Sequence, residues 1–476
     1  MRALSLVTVL VLSVVTAGVA APAGAQTATE PERIDSCRTI SEPGQYVLTE
    51  DVENASETCI EITASDVVLD GNGYTVDAGS GGYGVALSGS VTNVTVRNLT
   101  AVGGDQGVHV GNDAAGATVA NVTVRDVGGR GIVLTGSDAT VTDVRVENPG
   151  TRGFLTAGNG DGAVISDTVV VGGGGGQAGM RVQTDATLRN VTVRDASGHG
   201  ISVVVDPTVD ILGSTVTGAG GQGIDAESGI VTVANTTVSG SSEEGIRIAG
   251  GVTIAEIRDS VVVENAGYDG GVSVSDRYVE ISNLTSARND DMGLRLEARG
   301  TTVRNSTFRN NGIQAIDSSG AWTVRNSTFG SNEHGGITAD GSSGDWSVRE
   351  STFENNSAGV DAFGSSGAWT IRNTTFRDNG LGVSALETSG AWEVHRSTIV
   401  DSEGSGISAV YAAPAGTATR NYWGQASGPT TDQCVGNVTC RPGLSEPPGS
   451  SLDGAAAAYD TDDDGGVSAD RTPGEW

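Results

Sequence analysis

Apolar and polar residues alternate along most of this chain in short runs. Examples are Val122-Thr123-Val124-Arg125, Val191-Thr192-Val193-Arg194 and Val303-Arg304-Asn305-Ser306-Thr307-Phe308. Period-two alternation predicts strands with one buried and one solvated face. Between the runs lie clusters of Asn, Asp, Gly and Ser, the residues that turns with positive φ require. No stretch carries helical periodicity. A longer period is laid over the short one: a Gly followed by an apolar residue. It occurs at Gly84, Gly107, Gly131, Gly153, Gly179, Gly200, Gly223, Gly245, Gly271, Gly293, Gly312, Gly336, Gly359, Gly382 and Gly406, fifteen anchors over 322 residues with a mean interval of 23. A coil of 22–24 residues holding two or three strands is one turn of a parallel β-helix. Fifteen such turns, each rising about 4.8 Å, make a rod of roughly 70 Å. A propeller blade would need nearly twice the period, and a leucine-rich repeat a Leu ladder that is missing.

Stacked coils put equivalent positions in columns. Phe308, Phe329, Phe353, Phe376 and Ile399 form an inward apolar column. Asn121, Asn190, Asn235, Asn283, Asn305, Asn326 and Asn373 form a turn column, expected to be an asparagine ladder. Many of these Asn residues also open Asn-X-Ser/Thr sequons, as in Asn121-Val122-Thr123; turn chemistry and β-propensity account for them. Asn54 and Asn437, outside the column, are the better glycan acceptors. Trp322, Trp346, Trp369 and Trp392 follow one another at spacings of 24, 23 and 23. Each stands two residues before a Val or Ile, a parity that points it inward as a core stack. The alternative is an outward ladder on which sugar rings stack, which makes these four Trp the candidate carbohydrate-binding residues.

Leu69-Asp70-Gly71-Asn72-Gly73-Tyr74-Thr75-Val76-Asp77 resembles the first-coil phrase of the pectin-lyase-like superfamily. The Gly-Ile anchors and the Asn-Ser-Thr-Phe and Asn-Thr-Thr-Phe phrases resemble its short repeats, as in NosD-like and carbohydrate-binding/sugar-hydrolase proteins. Asn421-Tyr422-Trp423-Gly424 with Ser427-Gly428-Pro429 resembles a phrase that often closes such helices. The resemblance spans roughly residues 40–430. It implies an all-β fold, a single-stranded right-handed parallel β-helix of about 15 coils. Superfamily members include lyases, hydrolases, epimerases and non-catalytic surface proteins, so the fold alone does not select a function.

Composition narrows the setting. Asp and Glu number 58 against 27 Lys and Arg, a net charge of −31, and no residue is Lys. Such a surface repels itself in dilute buffer, and about 1 M salt shortens the screening length to roughly 3 Å. An acidic chain without lysine resembles exported proteins of halophilic archaea. No basic run is present, which argues against nucleic acid and anionic membranes as partners. Arg2, the apolar stretch from Leu4 to Val19 and Ala23-Gly24-Ala25 read as a signal peptide over 1–25, hence a secreted or cell-surface protein. No later apolar run is long enough to span a bilayer. An N-terminal cap over 26–61, the β-helix over 62–410, a C-terminal cap over 411–441 and an acidic tail over 442–476 follow. Four cysteines allow three connectivities. The local pairs Cys37 with Cys59 and Cys434 with Cys440 are expected, because each flanks one end of the repeats.

Candidate chemistry is sparse. Gly198-His199-Gly200 resembles a polygalacturonase motif, but Gly200 is a repeat anchor, and the paired Asp residues and a downstream lysine are missing. Asp290-Asp291 is a carboxylate pair read as a solvated turn. In the tail, Asp460, Asp462 and Asp464 before Gly465 match the start of a calcium loop, although Arg471 stands where the closing carboxylate belongs. Calcium is therefore the one cofactor suggested, and the fold requires none. No catalytic residue is assigned. The expected function is polysaccharide or surface-material binding along the side of the rod. The alternatives are a polysaccharide lyase, hydrolase or epimerase, and a purely structural surface protein or adhesin.

Overall fold

The computed structural model describes residues 30–449 apart from 54–56, 276–277, 298–299, 312, 316–317 and 319. These residues wind into a parallel β-solenoid of about 17 turns, with no helix among them. Every strand pairing between turns is parallel, and three sheets run the length of the rod. The anchor sheet starts at Arg38–Ile40 and ends at Cys434–Gly436. The second runs from Glu32–Ile34 through Trp322–Arg325 to Val438–Thr439. The third runs from Val52–Glu53 through Thr307–Arg309 to Thr398–Val400.

The apolar residue after each anchor glycine falls in one unbroken column, Val85, Val108, Ile132, Phe154, Met180, Ile201, Ile224, Ile246, Val272, Leu294, Ile313, Ile337, Val360, Val383 and Ile407. The rod has more turns than the fifteen anchors because strands at 38–40 and 60–62 already pair beneath Tyr83–Leu87, and these lack the glycine. The glycine itself answers a packing demand. A Cβ on Gly107 would lie 2.3 Å from Val124 Cγ1, and one on Gly153 would lie 2.3 Å from Val170 Cγ1. Valines of the third sheet reach across a core too thin to hold both side chains.

The Phe column faces inward and its rings stack at centroid distances of 4.6–5.2 Å. The Asn-Ser-Thr-Phe phrase has a division of labour. Asn305 and Asn326 take positive φ at an exposed turn. Ser306 Oγ donates to Arg304 O and accepts the Leu284 N–H of the previous turn. Thr307 faces out and Phe308 faces in. The expected asparagine ladder is mixed: Asp143, Asp167, Gly213 and Asp259 share its column, all with positive φ. Its side chains bond whichever neighbour is present, as Asn326 does to Asn305 (2.8 Å) and Asn190 to Asp167 (2.6 Å). A second ladder, of Asn265, Asn289, Asn311, Asn332, Asn356 and Asn379, is fully buried at the turn into the anchor sheet. There Asn356 Nδ2 donates to Asn379 Oδ1 (2.9 Å), and Asn356 Oδ1 accepts from Asn332 N–H (3.1 Å).

Both disulfides are present. Cys37–Cys59 joins the first two strands of the anchor sheet, and Cys434–Cys440 joins the last turn to the segment after it. Asn54, residues 1–25 read as a signal peptide, and the tail carboxylates Asp460, Asp462 and Asp464 lie outside the described residues.

Candidate functional site

Alternation along the anchor sheet turns two positions per turn away from the core, the residue before each glycine and the second residue after it, and neighbouring side chains leave Gln106, Val133, Ser202 and Asp225 no more than 5% exposed. The first column reads Tyr83, Gln106, Arg130, Arg152, Ala178, His199, Gln222 and Glu244; the second reads Ala86, His109, Val133, Leu155, Arg181, Ser202, Asp225 and Arg247. Neighbours in each column are one turn apart, so the parallel register alone gathers residues distant in sequence.

Arg130 and Arg152 sit on consecutive turns of the first column, and the Gly131 N–H bonds Arg152 O directly (2.9 Å). Arg181 is one turn further, on the second column beside Leu155. Among the described residues no carboxylate lies within ion-pair distance of these three arginines. The Arg152 guanidinium donates to Gln177 Oε1, while Nε of Arg130 and Nε of Arg152 are buried without a partner. Burial, then the charges of Arg181 and Arg130, hold Arg152 below the usual arginine range.

His109 lies against this cluster. Its ring stacks on Tyr83 with centroids 5.1 Å apart. Nδ1 is 2.9 Å from Gln106 Oε1, an acceptor, so the neutral ring carries its proton on Nδ1 and leaves Nε2 bare. Burial lowers its pKa and the Arg130 charge lowers it further, which keeps the ring neutral.

His199 is built differently. Its Nδ1 accepts the Gln222 backbone N–H (3.2 Å), and Nε2 faces Asp225 Oδ2 at 3.8 Å. Asp225 is 1% exposed and its Oδ1 accepts from Arg247 (2.8 Å). Both ring nitrogens are turned toward protein groups of the next turn, so His199 clips two turns together, and Asp225 carries the link on to Arg247 in a third. Further along the face, Arg295 pairs with Asp269 and Glu297 and lies over the Tyr268 ring.

The Trp residues lie on the second sheet and face the core. They are 1–3% exposed and stack at 4.7–4.9 Å. Trp346 Nε1 donates to Ser365 Oγ (3.2 Å). With parity obeyed, the residues that face solvent there are Thr323, Ser347, Thr370 and Glu393, beside a column of Arg304, Arg325, Arg349 and Arg372. That column is a ladder of surface ion pairs, Arg304 with Glu280, Arg325 with Glu350 and Arg372 with Glu393. Asp290 is exposed, and Asp291 lies 3.8 Å from His334 Nε2. No group of three or more metal-ligating side chains occurs among the described residues.

The arginine cluster has no counterpart in the linear sequence, where the absence of a basic run argued against nucleic acid and anionic membranes. Its signal is readable only in the anchor register: Arg130 and Arg152 each directly precede an anchor glycine, and Arg181 follows one by two places.

A family model described as "Right handed beta helix region" matches residues 50–182, 83–231, 174–319, 208–353 and 311–429. The chain belongs to this right-handed β-helix family. Solved β-helix structures similar to it include the A-module of the mannuronan C-5 epimerase AlgE4 from Azotobacter vinelandii, at 15% identity, 73% of this chain, 88% of that chain and TM-score 0.30. The catalytic unit of a GH87 α-1,3-glucanase from Streptomyces thermodiastaticus matches at 15% identity over 74% of this chain and 62% of that one, TM-score 0.25. A tailspike protein of E. coli bacteriophage HK620 matches at 14% identity over 84% and 73%, TM-score 0.34. No curated protein matches the chain.

Proposed function

We propose that this β-helix is an exported protein of a halophilic archaeon, NosD-like in its repeats, that binds a polysaccharide along the outward face of its anchor sheet. One observation carries this reading: from Tyr83 to Gln222 the face aligns partly exposed polar, aromatic and apolar groups, among them Tyr83, His109, Leu155 and Gln222, in columns that repeat with the turns. His109, Gln177 and Gln222 supply hydrogen bonds, while Tyr83 and Leu155 supply surface for the apolar face of a sugar ring; Gln106, Val133 and Ser202 on the same face are buried. A ligand that repeats along its own length fits a surface that repeats every turn, about 4.8 Å. Two disulfides fit an oxidising, extracellular setting. Because the indoles are buried, the Trp column belongs to the core of this reading and leaves sugar stacking to Tyr83. Asp460, Asp462 and Asp464 add a weak calcium site in the tail.

Binding of immobilised polysaccharides in molar salt tests the reading. A Tyr83→Ala, Leu155→Ala protein with normal melting should bind at least one polymer more weakly than wild type. Unchanged binding would move the site elsewhere, and no binding to any polymer would favour a spacer or adhesin.

His109 favours a second reading, a lyase, hydrolase or epimerase. A neutral imidazole with a bare Nε2 beside cationic side chains has the properties of a general base. New chain ends or altered sugar stereochemistry after incubation, lost in His109→Ala, would establish it.

A further inference from the structure

We infer that the polymer is anionic, and that Arg130, Arg152 and Arg181 hold its carboxylate or sulfate groups. This inference rests on the anchor sheet being the binding face. In a chain with 58 acidic and 27 basic residues, carboxylates are available to almost any arginine. Elsewhere on the same face they are used: Arg247 takes Asp225, and Arg295 takes Asp269. Over three successive turns the pattern breaks. Three arginines stand together with no carboxylate at ion-pair distance among the described residues, and two of their Nε atoms are buried and unbonded. Like charges brought together and partly desolvated are unfavourable unless an opposite charge joins them. A guanidinium offers a flat pair of N–H donors that matches a carboxylate or a sulfate. Arg130 and Arg152 on one column, with Arg181 one turn on and one column across, surround Leu155 and the Gln177 amide. An acidic sugar placed there would set its anionic group among the guanidinia and its ring on Leu155. A neutral glycan would leave all three charges uncompensated.

The test uses the full chain at one fixed salt concentration that keeps it folded. The probes are polygalacturonate and alginate for carboxylate, dextran sulfate for sulfate, and dextran as the neutral polymer. Acidic polymers should bind and raise the melting temperature, and dextran should not. Arg152→Gln and Arg181→Gln should each weaken acidic-polymer binding by about tenfold. Arg349→Gln, on the second sheet, should leave it unchanged. Arg152→Lys keeps the charge but not the paired donors and should recover only part of the loss, which separates recognition from a folding defect. Preference for dextran sulfate over the uronates, or the reverse, decides which anion is recognised. Equal binding of neutral and acidic polymers, unaffected by the arginine substitutions, would overturn the inference while leaving polysaccharide binding intact. Failure of every polymer to bind would overturn both.

Discussion

Gly107 is small because Val124 leaves no room for anything larger. Its φ is ordinary, so the requirement is steric alone: an added Cβ would meet both Val124 methyls and the Gly131 carbonyl. Overpacking of this kind costs about 1–3 kcal/mol. Gly107→Val should therefore melt at a lower temperature than wild type, whereas the same change at Gly330, where φ is also ordinary and nothing lies nearer than 3.8 Å, has no neighbour to displace. Asp70 sets a second requirement. Burial opposes its ionisation, but the Asn72 N–H, the Asn98 amide and Arg97 outweigh it and hold the carboxyl below 3.8. The sign follows: its contribution to stability is complete above 3.8 and is lost as pH falls through the lower folded value. In melting measured against pH, the gap between wild type and Asp70→Asn should be widest near neutrality and close on acidification. A gap independent of pH would remove Asp70 from the account of the first coils.

Strands and columns are where the sequence is most and least legible. The anchors could be read directly, because a Gly followed by an apolar residue marks one register position and every turn repeats it. The Phe column followed from the same parity. Parity also favoured an inward Trp column over an outward ladder, and the Trp side chains are 97% or more buried. Trp369 lies between Trp346 and Trp392 and is 1% exposed. Trp369→Ala should cost about 3–5 kcal/mol through the cavity it opens. It should alter polymer binding only as far as it unfolds the protein; unchanged melting with lost binding would reverse that assignment. The buried asparagine ladder was not legible. Asn289, Asn311 and Asn332 sit in Asn-Asp, Asn-Gly and Asn-Glu turns that read like any solvated loop, and only the stacking of turns shows their amides enclosed. The candidate site was illegible for the same reason. Arg130, Arg152 and Arg181 are separated by 22 and 29 residues, and nothing local distinguishes them from the arginines of the outer ion-pair ladder.

The whole molecule combines a thin, fully parallel core with a surface of net charge −31. Its stability should depend on salt, because carboxylate repulsion along a rod is screened only at high ionic strength. The melting temperature should rise from dilute buffer to molar salt, and a flat response would contradict the halophilic reading. The same charge gives the arginine cluster its meaning: a cationic spot on an anionic rod is where an anionic chain can approach the surface at all. The central claim, that polymer lies along the anchor sheet, is tested most directly by hydroxyl-radical footprinting with and without saturating acidic polysaccharide. Protection should appear at Tyr83, His109 and Leu155. Tyr278 and Ile254, exposed at 71% and 55% on the second sheet, should be oxidised equally in both samples. Protection confined to Tyr278 and Ile254, with Tyr83 and Leu155 unaffected, would contradict the account and move the binding face to the second sheet.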